Sequence, residues 1–301
     1  MADRDAGGLS SAAMSDSSSD SQPQESCAAQ DNLFDLFRAM ARSLPDAEIV
    51  ESPSLSRHHS FPTNPMFKGV WGTRLSDDEA EDAIDDTLAW FVDRGAPYIF
   101  WWTGPGTQPA DLPERLRRRG FLDMAEQQAT LAAGIHQTVA GAPCMEAPLS
   151  DLDESLISAV PDGFEIRRAT HVNDMHDFKS VFVESYQIPD WAGQAWLDAT
   201  VAAGLDRSPW QVHIGYLNGR PVATNMVLPV GDVVGAYAVA TVPDARGKGI
   251  GSAVTLAPLL EARAHGCRTA ALFSTEMGLS MYKRMGFRVV PGTINRFLWR
   301  A

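Results

Sequence analysis

Residues Pro243-Asp244-Ala245-Arg246-Gly247-Lys248-Gly249-Ile250-Gly251-Ser252-Ala253-Val254 decide how the rest of the chain is read. Three glycines alternate with larger residues between a β-branched run, VVGAYAVATV (233–242), and a helical stretch reaching about His265. Such a loop turns its backbone N–H groups toward one point at a positive helix end, which suits an anion. Glycine is needed there because a Cβ would block close approach or forbid positive φ. Arg246 and Lys248 add formal charge. Two nucleotide loops fail on spacing: Lys248 is followed by Gly249 rather than Ser or Thr, and Gly247-x-Gly249-x-x reaches Ser252 instead of glycine.

Outward from this turn, FEIRRA (164–169) reads as a strand, and Asp174 to Tyr186 as a helix with Met175, Phe178 and Phe182 on one face. A second helix is expected from about Asp190 through Trp196 to Ala203. WQVHIGYLNGRPVATNMVLPV (210–230) then predicts a β-hairpin turning at Asn218-Gly219. After the glycine turn come a strand TAALFST (269–275), a short helix EMGLSMYKRMGF and a final strand.

These residues resemble the GNAT superfamily of acetyl-CoA-dependent N-acetyltransferases. The family signature [RQ]-x-x-G-x-[GA] after the fourth strand is matched by Arg246-Gly247-Lys248-Gly249-Ile250-Gly251, preceded by Val242-Pro243. The family's later Tyr, basic helix end and Gly-Phe are matched by Tyr282-Lys283-Arg284-Met285-Gly286-Phe287. The resemblance covers about 164–301. It implies that Arg246, Gly247, Lys248, Gly249, Ile250, Gly251 and Ser252 hold the coenzyme A pyrophosphate, with acetyl-CoA as cosubstrate. It also implies that Val239, Ala240, Thr241 and Val242, on a splayed strand end, pair with the pantetheine as an added strand would. Tyr282 would be the general acid for the leaving thiolate. The family's Asn at the end of the fifth strand is here Thr275, whose hydroxyl is the group left to bond the cofactor, and Pro258 falls inside the helix after the turn, where a kink is expected.

Members of the family commonly carry the base that deprotonates the amine on the fourth strand; here that strand holds no acid after Asp232, so the resemblance implies a base from elsewhere. Glu184 is the first candidate, followed by Asp190 and Glu276. The reaction implied is direct attack of a primary amine, of a small molecule, on the thioester. The alternatives are acetylation of a protein lysine or N-terminus, and a non-catalytic acyl-CoA sensor.

The N-terminal half echoes the C-terminal half. YIFWWTG, then RLRRRGF (115–121), then another apolar stretch repeats the order TAALFST, YKRMGF, strand. Ser76 and Glu79 form a capping box ahead of a helix with Ala80, Ile84, Leu88 and Phe91 on one face, ended by Gly95. The place of the glycine turn is taken by GTRLSDDE (72–79) or GPGTQP (104–109), neither of which makes an amide nest. The expected architecture is therefore α/β: tandem GNAT-like lobes, each a mixed, mostly antiparallel sheet flanked by helices. Residues 1–30 read as a disordered tail, 31–140 as a degenerate lobe with a helix from Asn32, 141–162 as a linker, and 163–301 as the catalytic domain. LDMAEQQATLAA (122–133) reads as a strand, and 44–63 as a looser stretch.

Composition bounds the rest. The 301 residues suggest about two domains at roughly 150 each. With 25 basic and 38 acidic residues, the net charge of −13 argues against a nucleic-acid surface. No stretch approaches the ~20 apolar residues of a membrane span. Cys27, Cys144 and Cys267 are odd in number and widely spaced, which suggests neither a disulfide framework nor a metal knuckle; no metal is expected, the adjacent His58 and His59 included. A cytoplasmic location is the default expectation; the oligomeric state is left open.

Overall fold

The computed structural model describes residues 26–61, 64–130 and 141–301; most of the expected tail lies outside these. The first helix, α1 (Ala28–Ser43), starts before Asn32 and buries Leu33, Leu36, Phe37 and Met40, so residues 28–30 are helical rather than tail. The stretch expected to be loose forms a hairpin of β1 (Glu48–Glu51) and β2 (Ser56–His59), continued by β3 (Lys68–Trp71). Then follow α2 (Asp77–Val92), β4 (Tyr98–Thr103), α3 (Leu112–Arg118) and β5 (Leu122–Asp123). Only the start of the strand expected at 122–133 is extended: α4 (Met124–Thr130) is helical, with Asp123 Oδ1 accepting from the N–H groups of Ala125 and Glu126 at its first turn. Residues 131–133 of that expected strand fall outside the described residues.

The segment expected to be a linker is instead structural. Its first residues form β6 (Ala142–Pro148), paired antiparallel to both neighbours in the middle of the sheet. Proline and small residues mask it in the sequence, although Cys144, Met145 and Ala147 are fully buried. The C-terminal lobe continues with β7 (Phe164–Arg168), α5 (Val172–Tyr186), α6 (Asp190–Ala203), β8 (Gln211–Leu217) and β9 (Arg220–Val230). β8 and β9 turn at Asn218 and Gly219, both at positive φ as that two-residue turn demands. β10 (Val233–Thr241), α7 (Ile250–Ala264), β11 (Thr269–Phe273), α8 (Glu276–Met285) and β12 (Arg288–Arg300) complete the chain.

Among the described residues all twelve strands belong to one sheet, ordered β1-β2-β3-β4-β12-β6-β11-β10-β9-β8-β7, with β5 also on β12. The lobes exchange strands. β6, following the N-terminal lobe in sequence, lies between β11 and β12, whereas β12 pairs through Asn295–Arg300 with β4. One apolar cluster accordingly joins Phe37, Trp71 and Trp102 of the first lobe to Phe178, Trp196 and Ile214 of the second. The sequence echo is real: α3 and α8 both end before a glycine at positive φ, Gly120 and Gly286, and lead into a strand.

Pro258 stays inside α7. Its missing N–H would leave the carbonyl four residues earlier unpaired, and the buried Asn225 of β9 supplies the substitute, its Nδ2 donating to Val254 O at 3.1 Å.

Candidate functional site

β10 and β11 run parallel through Val233↔Thr269, Val234↔Ala270 and Gly235↔Ala271, and then separate. On its other side β10 breaks register with β9 between Tyr237 and Ala240, where Ala238 takes a positive φ of 49°. Thr224 Oγ1 donates to Ala238 O at 2.8 Å and holds this bulge. Bulges re-aim backbone groups next to functional sites. The gap opens as a cleft of about 430 Å³ lined by residues 236–241 on one side and Phe273, Thr275 and Tyr282 on another.

At the cleft's end the chain makes the glycine turn. Gly247 and Gly249 have φ of 74° and 77°. A Cβ on Gly249 would lie 1.8 Å from Ala159 O, so the backbone approaches as it does only because that residue is glycine. Gly249 is the N-cap of α7, offers no capping side chain, and no acid follows in the first turn. The first amides of a helix have no partners within it, and among the described residues no side chain caps them; Gly251 and Ser252 face the cleft.

The expected residues divide into two groups. Val239, Ala240, Thr241, Arg246, Gly247, Gly249, Gly251, Ser252, Thr275 and Tyr282 all line the cleft. Val242 and Ile250 bury their side chains in the core beneath it, with Val181 and Val254. Lys248 does not line the cleft and donates to Asp244 O at 2.9 Å. Arg246 reaches the rim, but its Nε donates to Thr241 O at 2.9 Å and its Nη2 to Ser185 O at 3.2 Å, tying the strand end to α5. Thr275 caps α8, its Oγ1 accepting from Gly278 N–H at 3.3 Å. Glu184 is exposed on α5 and does not line the cleft. It lies close enough to Arg220 to raise that guanidinium's pKa, along with the nearer Asp244. Asp190 is paired to Lys179 at 2.8 Å, and Glu276 is exposed outside the cleft. Among the described lining residues there is no carboxylate and no histidine.

Tyr282 is placed by packing. A Cβ on Gly278 would lie 2.8 Å from its ring, and Phe287 meets that ring edge-on at 5.8 Å. Burial raises its phenol pKa, and neighbouring Tyr186 adds to the effect, so Tyr282 keeps its proton across the ordinary pH range.

Two further tyrosines escape a reading of the sequence. Tyr186 donates to Val239 O at 3.0 Å, and Tyr237 donates to Asn32 Oδ1 at 2.7 Å. Burial raises both phenols. Asn32 in turn donates to Leu228 O at 3.2 Å, so α1 of the N-terminal lobe rests on the bulged strand. Gly235 makes room for this: a Cβ there would meet Asn32 Oδ1 at 1.9 Å. No periodicity in 28–43 reports such a contact, because its partner is 205 positions away.

Residues 208–289 match the acetyltransferase (GNAT) domain family. No curated protein sequence matches the chain. Solved structures do. A GCN5-related N-acetyltransferase from Kribbella flavida superimposes with a TM-score of 0.66 at 14% identity, covering 91% of this chain and 96% of its own. An acetyltransferase of the GNAT family from Novosphingobium aromaticivorans gives 0.52 at 17%, covering 84% and 91%. A tandem GNAT protein of clavulanic acid biosynthesis gives 0.54 at 12%, covering 91% and 96%. The chain has the fold of the GCN5-related N-acetyltransferases, tandem GNAT proteins included, and residues 208–289, which hold the bulged strand and the glycine turn, carry the GNAT acetyltransferase domain.

Proposed function

We propose that the C-terminal lobe binds acetyl-CoA and transfers its acetyl group to the primary amine of a small molecule. The observation that carries this reading is the uncapped N-terminus of α7 opening directly onto the cleft between β10 and β11. The amides of 247–252 suit a pyrophosphate, and the edge of β10 beyond Gly235, unpaired with β11, suits the amides of pantetheine. Acetyl-CoA supplies the thioester. Tyr282, protonated and facing the cleft, is the general acid for the departing thiolate, hydrogen-bonding to it as it leaves. Little is asked of it, since a free thiol has a pKa of about 8.5 and its thiolate is already a tolerable leaving group. Tyr237 has committed its proton to Asn32, which leaves the phenol oxygen to accept an N–H from the incoming amine. With no carboxylate among the described residues lining the cleft, the amine's proton leaves through water.

The same lack of a carboxylate favours a second reading, a lobe that binds acyl-CoA without turnover. Calorimetry with acetyl-CoA separates both from neither. Gly247 is the position to change, since a Cβ there meets nothing within 4 Å and Asn and Asp tolerate positive φ. Gly247→Asn is expected to keep binding and Gly247→Asp to weaken it at least about tenfold, through charge at the anion site. Equal binding by both variants, or none by the parent protein, overturns the cofactor site. A thiol-release assay over a panel of primary amines then separates the two readings: turnover that falls in Tyr282→Phe at unchanged acetyl-CoA affinity supports transfer, and binding without turnover supports the sensor.

A further inference from the structure

We propose that Cys27 and Cys144 are a thiol-oxidation site whose disulfide fastens α1 to the exchanged strand β6. Their sulfurs lie 2.8 Å apart although 117 positions separate them in the chain. That is less than an ångström beyond the ~2.05 Å of a disulfide bond. Both are free thiols, enclosed with Ala29 and Ala271, whose small side chains leave each sulfur facing the other.

The backbone on each side is fixed. Cys27 is the N-cap of α1, and its carbonyl accepts from Asp31 N–H at 3.1 Å. One residue on, Ala28 N–H donates to Glu146 Oε1 of β6 at 2.6 Å. Cys144 is held in register with Phe273 of β11. The third cysteine, Cys267, sits near Gly231 O at 3.9 Å and belongs to a separate cluster.

The two sulfurs have different roles. Cys27 keeps 8% exposure and Cys144 none. The Cys144 thiol stabilises an ionised Cys27 by hydrogen bonding, which lowers the Cys27 pKa, while Cys27 and burial raise that of Cys144. Cys27, the more exposed of the two and seated at a helix N-terminus, is the attacking thiolate. With a small-molecule disulfide such as oxidised glutathione, its sulfur forms a mixed disulfide and expels one glutathione thiolate. Cys144 then attacks the Cys27 sulfur, loses its proton to solvent and expels the second. Two protein thiols become one disulfide, and one glutathione disulfide becomes two thiols.

The bond would close a loop containing the whole N-terminal lobe and pin α1 just ahead of Asn32, the residue on which Tyr237 of the cleft rests. The inference stands without the acetyl-transfer reading, since neither thiol lines the cleft.

The test equilibrates the full-length protein in buffers of graded reduced-to-oxidised glutathione, traps thiols by alkylation, and reads intact mass and peptide map. The oxidising end should leave one of the three thiols alkylatable and yield a linked peptide holding Cys27 and Cys144. The oxidised form should melt about 10 °C higher, as a loop of roughly 100 residues implies. Cys267→Ser should change nothing, whereas Cys27→Ser should abolish both the link and the melting shift. A parallel equilibration in sub-denaturing urea gives the oxidant access to both sulfurs. Three alkylatable thiols in both arms, a link through Cys267 or to a second copy, or a link that leaves the melting temperature unchanged would overturn the proposal.

Discussion

The two lobes make the same junction twice, a strand followed by a turn and then a helix, and only one of the two is open. In the C-terminal lobe, α7 starts from a glycine cap with no acid in its first turn. In the N-terminal lobe, α2 starts with Asp77, Asp78 and Glu79, and Glu79 Oε2 accepts from both the N–H and the hydroxyl of Ser76, at 3.2 and 2.7 Å. The first helix end is free for an external anion; the second is neutralised by its own chain.

The strands differ in the same sense. β3 and β4 are parallel at Gly69↔Phe100 and Val70↔Trp101, as β10 and β11 are at their start. Where the latter pair opens, the former is stitched on: Gln108 N–H donates to Thr73 O at 3.0 Å, and Leu75 N–H donates to Gln108 O at 3.1 Å. Trp101 Nε1 donates to Thr73 Oγ1 at 2.9 Å beside them. The two junctions thus differ in the groups they leave unpaired: one has a helix without a side-chain cap and a parallel pair without its last bonds.

The largest expected effect separates the two turns by stability. Gly249→Ala drives a methyl into Ala159 O and should cost about 3 kcal/mol or more in urea unfolding, with loss of acetyl-CoA binding. Gly72, at a φ of 67° in the other turn, has open space where a methyl would stand, with nothing within 4 Å. Gly72→Ala should therefore cost only about 1 kcal/mol. Equal costs would break the comparison.

Next in size is a pH effect on the lobes' shared stability. His58 of β2 is fully buried against Phe37 and Trp71, and burial lowers its pKa to about 3. The unfolded chain binds that proton near pH 6.5 and the folded one does not, so the contribution is complete above about 6.5 and is lost as pH falls toward 3. His213 of β8, lowered by burial to about 4, acts in the same direction from the other lobe. Between about pH 7 and pH 5, His58 should account for a fall of about 2 kcal/mol, which His58→Phe removes. Because one core spans both lobes, the protein should still unfold in a single transition; two separated transitions would show that the lobes are independent.

The smallest effect sharpens the comparison from the closed side. Ser76→Ala removes a cap and should cost about 1 kcal/mol. It should create no second acetyl-CoA site in calorimetry, since Gln108 still closes β3 onto β4. A second site would show that the cap alone keeps that lobe silent.

Much of the C-terminal lobe is legible because its signals are local. Asn218-Gly219 names its own turn, and Gly247 and Gly249 mark positive φ where the backbone needs it. The echo of Gly120 and Gly286 discloses the repeat for the same reason. What the local pattern misses depends on distant partners. β6 lacks a strand-like composition and exists because β11 and β12 bond it on both edges. Glu184 has the right chemistry near the end of α5, but the helix turns it outward into solvent.

The sequence by itself determined the glycine turn, the tyrosine that follows it and the repetition of one unit, since each is written in neighbouring residues whose backbone or helical preferences need no partner. Tertiary structure alone decided which strand each lobe lends the other, that Asn32 supports Tyr237, and which helix N-terminus stays open. Those outcomes depend on hydrogen bonds made or withheld between residues far apart in the chain, and no local pattern encodes a bond that is left unmade.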